Sequence, residues 1–184
     1  MSGHDLEDDP FQRLGIEARF DLDIAMVERK LVRATARLHP DRATDEIEAE
    51  EWGRELAAIN AAARLLLNDE QRADALLRLR GGPAAAEEKG LPDGFLQEIL
   101  GTRMELEEAL ASGDADGRAR LANWAHTERD GHRARVTAIF NEHATTSDPE
   151  LLRAIRLELN RWRYVERMIE QMDPRARSDT EVPE

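Results

Sequence analysis

Apolar residues recur along this chain at three- and four-residue steps, the period of an α-helix with one buried face. Ile24, Val27, Leu31, Ala34 and Leu38 form the first long series, and Asp23 is placed to cap its start. Pro40 disfavours helix at His39 and so ends the series. Trp52, Leu56, Ile59, Ala63 and Leu66 form the second. Its opening carries Asp45, Glu46, Glu48, Glu50 and Glu51, where the helix dipole favours anions. Asn68-Asp69 breaks that helix and caps a shorter one over about 70–80, whose apolar positions are Ala73, Leu76, Leu77 and Leu79. Gly81-Gly82-Pro83 stops it. Ahead of all three, Pro10 suits a first helical turn, Phe11 and Leu14 share one side, and Gly15 closes the turn. The pattern predicts two long antiparallel helices with a short helix on either side.

Residues 83–91 read as a linker, after which the helical period resumes. A helix over about 93–111 carries one seam of Phe95, Ile99, Leu106 and Leu110. A second stripe, Leu96, Leu100 and Met104, lies about 100° round the same helix. The next helix, about 116–143, is anchored by Leu121, Trp124, Val136, Ile139 and Phe140, although its middle, 127–135, is polar and contains Gly131. Asp148-Pro149 opens a last helix with Leu152, Ile155, Leu159, Trp162, Val165, Ile169 and Met172. Tyr164 lies about 200° from Trp162 and so points away from that seam. A three-helix bundle over 92–172 follows, between an acidic extension at 1–9 and a disordered tail at 173–184. With no strand-like alternation, the fold class is all-α.

Composition sharpens this picture. The 184 residues are 35% charged and 4% aromatic, which suits helices packed through aliphatic side chains. A net charge of −13 repels phosphate, so no nucleic-acid partner is expected. Cysteine is absent, and His126 and His132 are six apart rather than at the four-residue ligand spacing, so neither metal nor cofactor is expected. No signal peptide or membrane-spanning run is seen, so the chain reads as cytoplasmic; the Arg-rich, Lys-poor balance suggests a bacterial source, and a monomer is expected. No nucleophile or paired acid–base constellation suggests an enzyme. Against the acidic background one local reversal stands out: within 24–42 five positive residues face two negative ones. Arg29, Arg33 and Arg37 recur every four residues with Lys30 beside them, just before His39-Pro40-Asp41.

That tripeptide alone arises by chance in roughly one chain in a hundred of this length, but its surroundings are specific. Asp9-Pro10-Phe11-Gln12-Arg13-Leu14-Gly15, the basic helix, the His-Pro-Asp loop, and the run from Ile59-Asn60 through Arg72-Ala73 resemble a J-domain in that order. The whole chain resembles the HscB type, the J-domain co-chaperones of bacterial iron–sulfur cluster assembly. The carrying segments are Leu14 through Asp23, Arg72 through Gly81, Phe95 through Glu108, and Arg163-Tyr164-Val165-Glu166-Arg167-Met168.

The resemblance implies a J-domain over 10–82 and a scaffold-binding three-helix domain over 92–172. It implies a co-chaperone that delivers an iron–sulfur cluster scaffold protein to a DnaK/HscA-type ATPase and stimulates that ATPase. It assigns His39, Pro40 and Asp41 to the ATPase contact, and Arg29, Lys30, Arg33 and Arg37 would steer docking onto an acidic surface. Arg42 follows the tripeptide where Lys is usual. For the scaffold it points to Leu96, Gln97, Leu100, Gly101, Arg103, Met104 and Tyr164. Gln97 stands where an apolar residue is familiar, and Gly101 and Met104 replace acidic positions. A J-domain adaptor serving another client is the alternative.

Overall fold

A computed structural model describes residues 9–172, which form seven α-helices and no strand among the described residues. The expected tail and all but Asp9 of the acidic extension lie outside them. The chain divides into two compact units, residues 1–81 and 82–184.

The first unit contains α1 (Pro10–Leu14), α2 (Ile24–Arg37), α3 (Glu46–Leu67) and α4 (Asp69–Leu79). Asp9 caps α1 by accepting from the Phe11 and Gln12 amides, and Gly15 closes it at φ +60°. Helices α2 and α3 form the expected antiparallel pair, with α1 packed against both. Asn68 ends α3 and caps α4 at once, its side chain accepting from the Gln71 amide. The core joins Phe11, Phe20, Val27, Leu38, Ile59, Ala63, Leu66, Leu76 and Leu77. Leu79, read as apolar lining, is exposed: it is the last residue of α4, where the chain turns away.

One buried group in this unit is not apolar. Arg72 is 1% exposed and has a partner in each direction. Its Nε donates to the Phe20 carbonyl at 2.9 Å, Nη1 donates to the Leu66 carbonyl, and Nη2 pairs with Asp69. Its guanidinium also lies over the Phe20 ring, 5.1 Å from the centroid. The cation thus ties the segment before α2, the end of α3 and the start of α4 into one joint.

The second unit contains α5 (Phe95–Ser112), α6 (Ala115–Thr146) and α7 (Pro149–Met172). Residues 83–90, within the stretch 83–91 read as a linker, run along α7. Arg156 Nε donates to the Pro83 carbonyl at 2.9 Å, Arg153 pairs with Glu88, and Asn160 donates to the carbonyls of Glu88 and Gly90. Helix α5 shares a core with the others through Ile99, Leu106, Ala109, Leu121 and Met168. Leu110, assigned to that seam, is 41% exposed. Ala109 takes its place because α5 approaches α6 closely there: a Cβ on Gly117 would sit 3.4 Å from that of Ala109.

Removing Arg72 leaves buried acceptors and Asp69 without their cation, so Arg72→Ala should destabilise the first unit by about 3–5 kcal/mol. Urea unfolding followed by circular dichroism measures this as a lowered midpoint.

Candidate functional site

The turn between α2 and α3 presents the His-Pro-Asp tripeptide from a frame closed at both ends. Leu38, 4% exposed, anchors the end of α2, and its amide donates to the Ala34 carbonyl. Residues Pro40–Arg42 make one 3-10 turn in which the Arg42 amide donates to the His39 carbonyl at 3.0 Å. Arg42 Nη1 reaches back to the Ala36 carbonyl at 3.0 Å, satisfying the C-terminus of α2. On the far side, Asp45 caps α3 by accepting from the Glu48 amide at 2.8 Å. Glu48 returns the bond by accepting from the amide and hydroxyl of Thr44, which hold its carboxyl below the usual range.

Within this frame the two polar side chains face solvent, His39 half exposed and Asp41 86% exposed. His39 Nδ1 accepts from the Asp41 amide at 3.2 Å, which places the proton of the neutral ring on Nε2, the outer nitrogen. The Asp41 carboxylate is open to solvent, with His39 Nδ1 3.6 Å from one of its oxygens.

The basic stripe is less uniform than its spacing suggests. Arg29 pairs with Asp23 and Arg37 with Glu55 on α3, each at 3.1 Å and exposed. Arg33 has no ion-pair partner among the described residues. Lys30 donates to the Gly15 carbonyl at 3.1 Å, so its ammonium completes the end of α1. Exposed pairs of this kind contribute little, which leaves Arg29, Arg33 and Arg37 open to exchange partners, while Lys30 has a structural contact to give up.

On α5 the apolar stripe is in the open: Leu96, Leu100 and Met104 are 54%, 58% and 63% exposed. Gln97, Gly101 and Arg103 are exposed beside them, Arg103 pairing with Glu107 at 3.6 Å. Open space surrounds the place where a Gly101 side chain would project. Tyr164 stands apart from this set. It is half-buried, its ring edge-on to Phe95 at 5.6 Å, so it supports the start of α5 from α7.

A group the sequence reading passed over lies between α6 and α7. Glu158, Trp162 and Glu166 follow one another at four-residue steps and are all buried. Arg129 makes a bidentate pair with Glu166, which also accepts from Trp162 Nε1 at 2.7 Å. His132 Nδ1 lies 2.7 Å from Glu158 Oε1, and Arg135 Nε and Arg161 Nη1 also donate to Glu158. Arg135 Nη2 comes within 2.9 Å of the same His132 nitrogen. A proton donated from that nitrogen to Glu158 leaves no lone pair for Arg135, so the second approach is a contact only. The spacing Arg129, His132, Arg135 opposite Glu158 and Glu166 was the available signal. Among the described residues no His or carboxylate cluster could hold a metal ion, and no helix is long and apolar enough to cross a membrane.

The first unit, with His39 and Asp41 facing solvent between paired helices, has the arrangement of a J-domain fold, and a helical bundle follows it. Within that class the likeness is to HscB co-chaperones, as the sequence resemblance suggests. The HscB homolog of Aeromonas hydrophila is 26% identical over 172 residues, covering 89% of this chain and 93% of the relative. The HscB homolog of Vibrio cholerae and HscB of Proteus mirabilis are 31% and 33% identical over 58% and 59% of this chain, each spanning 64% of the relative. The crystal structure of human co-chaperone protein HscB matches with a TM-score of 0.76 at 19% identity, over 91% of this chain and 82% of that one. Chaperone HscB from Vibrio cholerae matches at 0.68 and 21% identity, over 93% and 98%. No family model matches the chain.

Burial pushes the Glu158 carboxyl up, but the hydrogen bonds and charges of His132 and Arg135 outweigh it, and the group lies at about 2 against an ordinary 4.5. A carboxyl lowered by folding contributes stability in full above its unfolded value and loses it as pH falls through the folded one. Stability should therefore decline from about pH 4.5 towards pH 2, and Glu158→Gln should flatten that limb. The same substitution should cost about 2–3 kcal/mol at neutral pH by taking the carboxylate from the buried His132 and the partly exposed Arg135 and Arg161. Thermal melts across pH test both.

Proposed function

We propose that this chain is a bacterial cytoplasmic co-chaperone that binds an iron–sulfur cluster scaffold protein and delivers it to a DnaK/HscA-type ATPase. Residues 10–82 serve the ATPase and 92–172 the scaffold. The observation that carries this reading is the His39-Pro40-Asp41 turn, which faces solvent from a frame fixed at Leu38, Arg42 and Asp45. The names of the relatives support the co-chaperone role, and the residues present suit it.

Such a protein needs no chemistry of its own. It stimulates hydrolysis by binding one conformation of the ATPase more tightly than another. Asp41, with its oxygens outward, suits a bidentate arginine on the partner. Arg29, Arg33 and Arg37 speed encounter with an acidic surface, and the pairs Arg29–Asp23 and Arg37–Glu55 are weak enough to open on docking. Leu96, Leu100 and Met104 provide a dry contact for the scaffold, of a size that a lone charged helix face would not expose.

Asp41→Asn should abolish stimulation of the ATPase while leaving scaffold binding intact, as read by phosphate release and by calorimetry. Leu100→Asp should do the reverse, weakening the scaffold at least tenfold while basal stimulation persists. Stimulation by Asp41→Asn equal to that of the parent chain would overturn the docking role. A parent chain that stimulates the ATPase yet binds no scaffold would point to a different client.

A further inference from the structure

The first turn of α5 lacks the usual means of holding a helix start. Gly94, at φ +81°, occupies the cap position, and no side chain accepts from the exposed amides. The Phe95 amide donates to the Pro92 carbonyl and the Gln97 and Glu98 amides to that of Gly94, while Leu96 and Gln97 face solvent. The sole large side chain tying this turn to the bundle is Phe95.

Phe95 is held from two sides by residues of α7. Tyr164 meets it edge-on, with an interplanar angle of 78°. Arg161 covers it with its guanidinium, Cζ lying 5.8 Å from the ring centroid. The same guanidinium donates through Nη1 to Glu158 Oε2 at 3.0 Å. Its Nε is buried and makes no hydrogen bond among the described residues. The plane of the guanidinium is set by the carboxylate on one side and the ring on the other. Glu158 is fixed in turn by His132 and Arg135 of α6.

We propose that Arg161 is a positioning residue for the partner-binding face of α5, transmitting the rigid α6–α7 seam through Glu158 to Phe95 and so fixing where Leu96 and Leu100 point. Leu96 follows Phe95 directly, and Leu100 lies one turn further on beside the buried Ile99, so a rotation of the first turn moves Leu96 directly and Leu100 through the helix. The inference rests on the reading that this face binds the scaffold protein. A planar guanidinium can lie flat on the ring while keeping its ion pair; an ammonium can keep the ion pair but cannot stack.

The test uses the full chain with a purified bacterial cluster scaffold protein, and hydrogen exchange by mass spectrometry on the chain alone. Arg161→Met, which still covers Phe95 with apolar atoms, should weaken scaffold binding by about tenfold. It should speed exchange at Gln97 through Leu100 while leaving the amides of α7 unchanged. Arg161→Lys should fail to rescue binding, and Phe95→Leu should reproduce the loss without adding to it in the double variant. If Arg161→Met speeds exchange throughout α7, the residue is merely structural and the proposal fails; Phe95→Leu reads the same coupling without touching α7. Normal binding and exchange in both variants, with Leu100→Asp still defective, would overturn the inference alone. Normal binding by Leu100→Asp would overturn the reading of the face, and the inference with it.

Discussion

The second unit depends on a carboxylate that must stay ionised while buried. Glu158 occupies a position on α7 that a simple bundle would fill with an aliphatic residue, and Glu166 does the same two turns later. Isolated, each would be costly to bury. Arg129, His132 and Arg135 of α6 make both tolerable, but only in one alignment of the two helices. Sliding α7 by a turn would leave a buried charge facing aliphatic side chains, at a cost of several kcal/mol. The seam therefore selects register more than it adds stability. Trp162, stacked on His132 with an 11° interplanar angle, fills the space between the two carboxylates.

The first unit meets the same need for a unique arrangement with a single group. Arg72 gathers carbonyls from Phe20 and Leu66 and the carboxylate of Asp69, so the segment before α2, the end of α3 and the start of α4 share one centre. Its burial leaves α2 and α3 free to present their outer faces. Charge there is divided by role: Lys30 serves the fold, Arg29 and Arg37 are held by weak exposed pairs, and Asp41 is left outward.

Most elements were legible because each is marked by its own local chemistry. Asp23, Asn68, Asp114 and Gly15 end or begin helices where the sequence places such residues. The apolar period of α7 locates its buried face from Leu152 to Ile169. The polar middle of α6 was the weak point of that reading, since 127–135 shows no stripe. It is helical because its partners are charged too, and pairing between distant segments leaves no mark on local periodicity. The Arg135 guanidinium turns back over Gly131 towards Glu158, 3.1 Å from where a Cβ would lie. The candidate docking turn was visible as a motif, whereas its framing by Arg42 and Thr44 was not. Tyr164 was correctly placed off the main seam by helical geometry, but its contact with Phe95 depends on how α5 lies on α7.

The closed frame of the His-Pro-Asp turn has a thermodynamic consequence. An unstructured loop must surrender conformational entropy when a partner orders it, and that loss is subtracted from affinity. Here the backbone from Leu38 to Asp45 is already fixed by bonds made on folding. The docking proposed for this turn would therefore restrict little beyond the rotamers of His39 and Asp41. In that proposal the interaction energy of a small, polar contact is left almost undiminished for favouring one conformation of the partner.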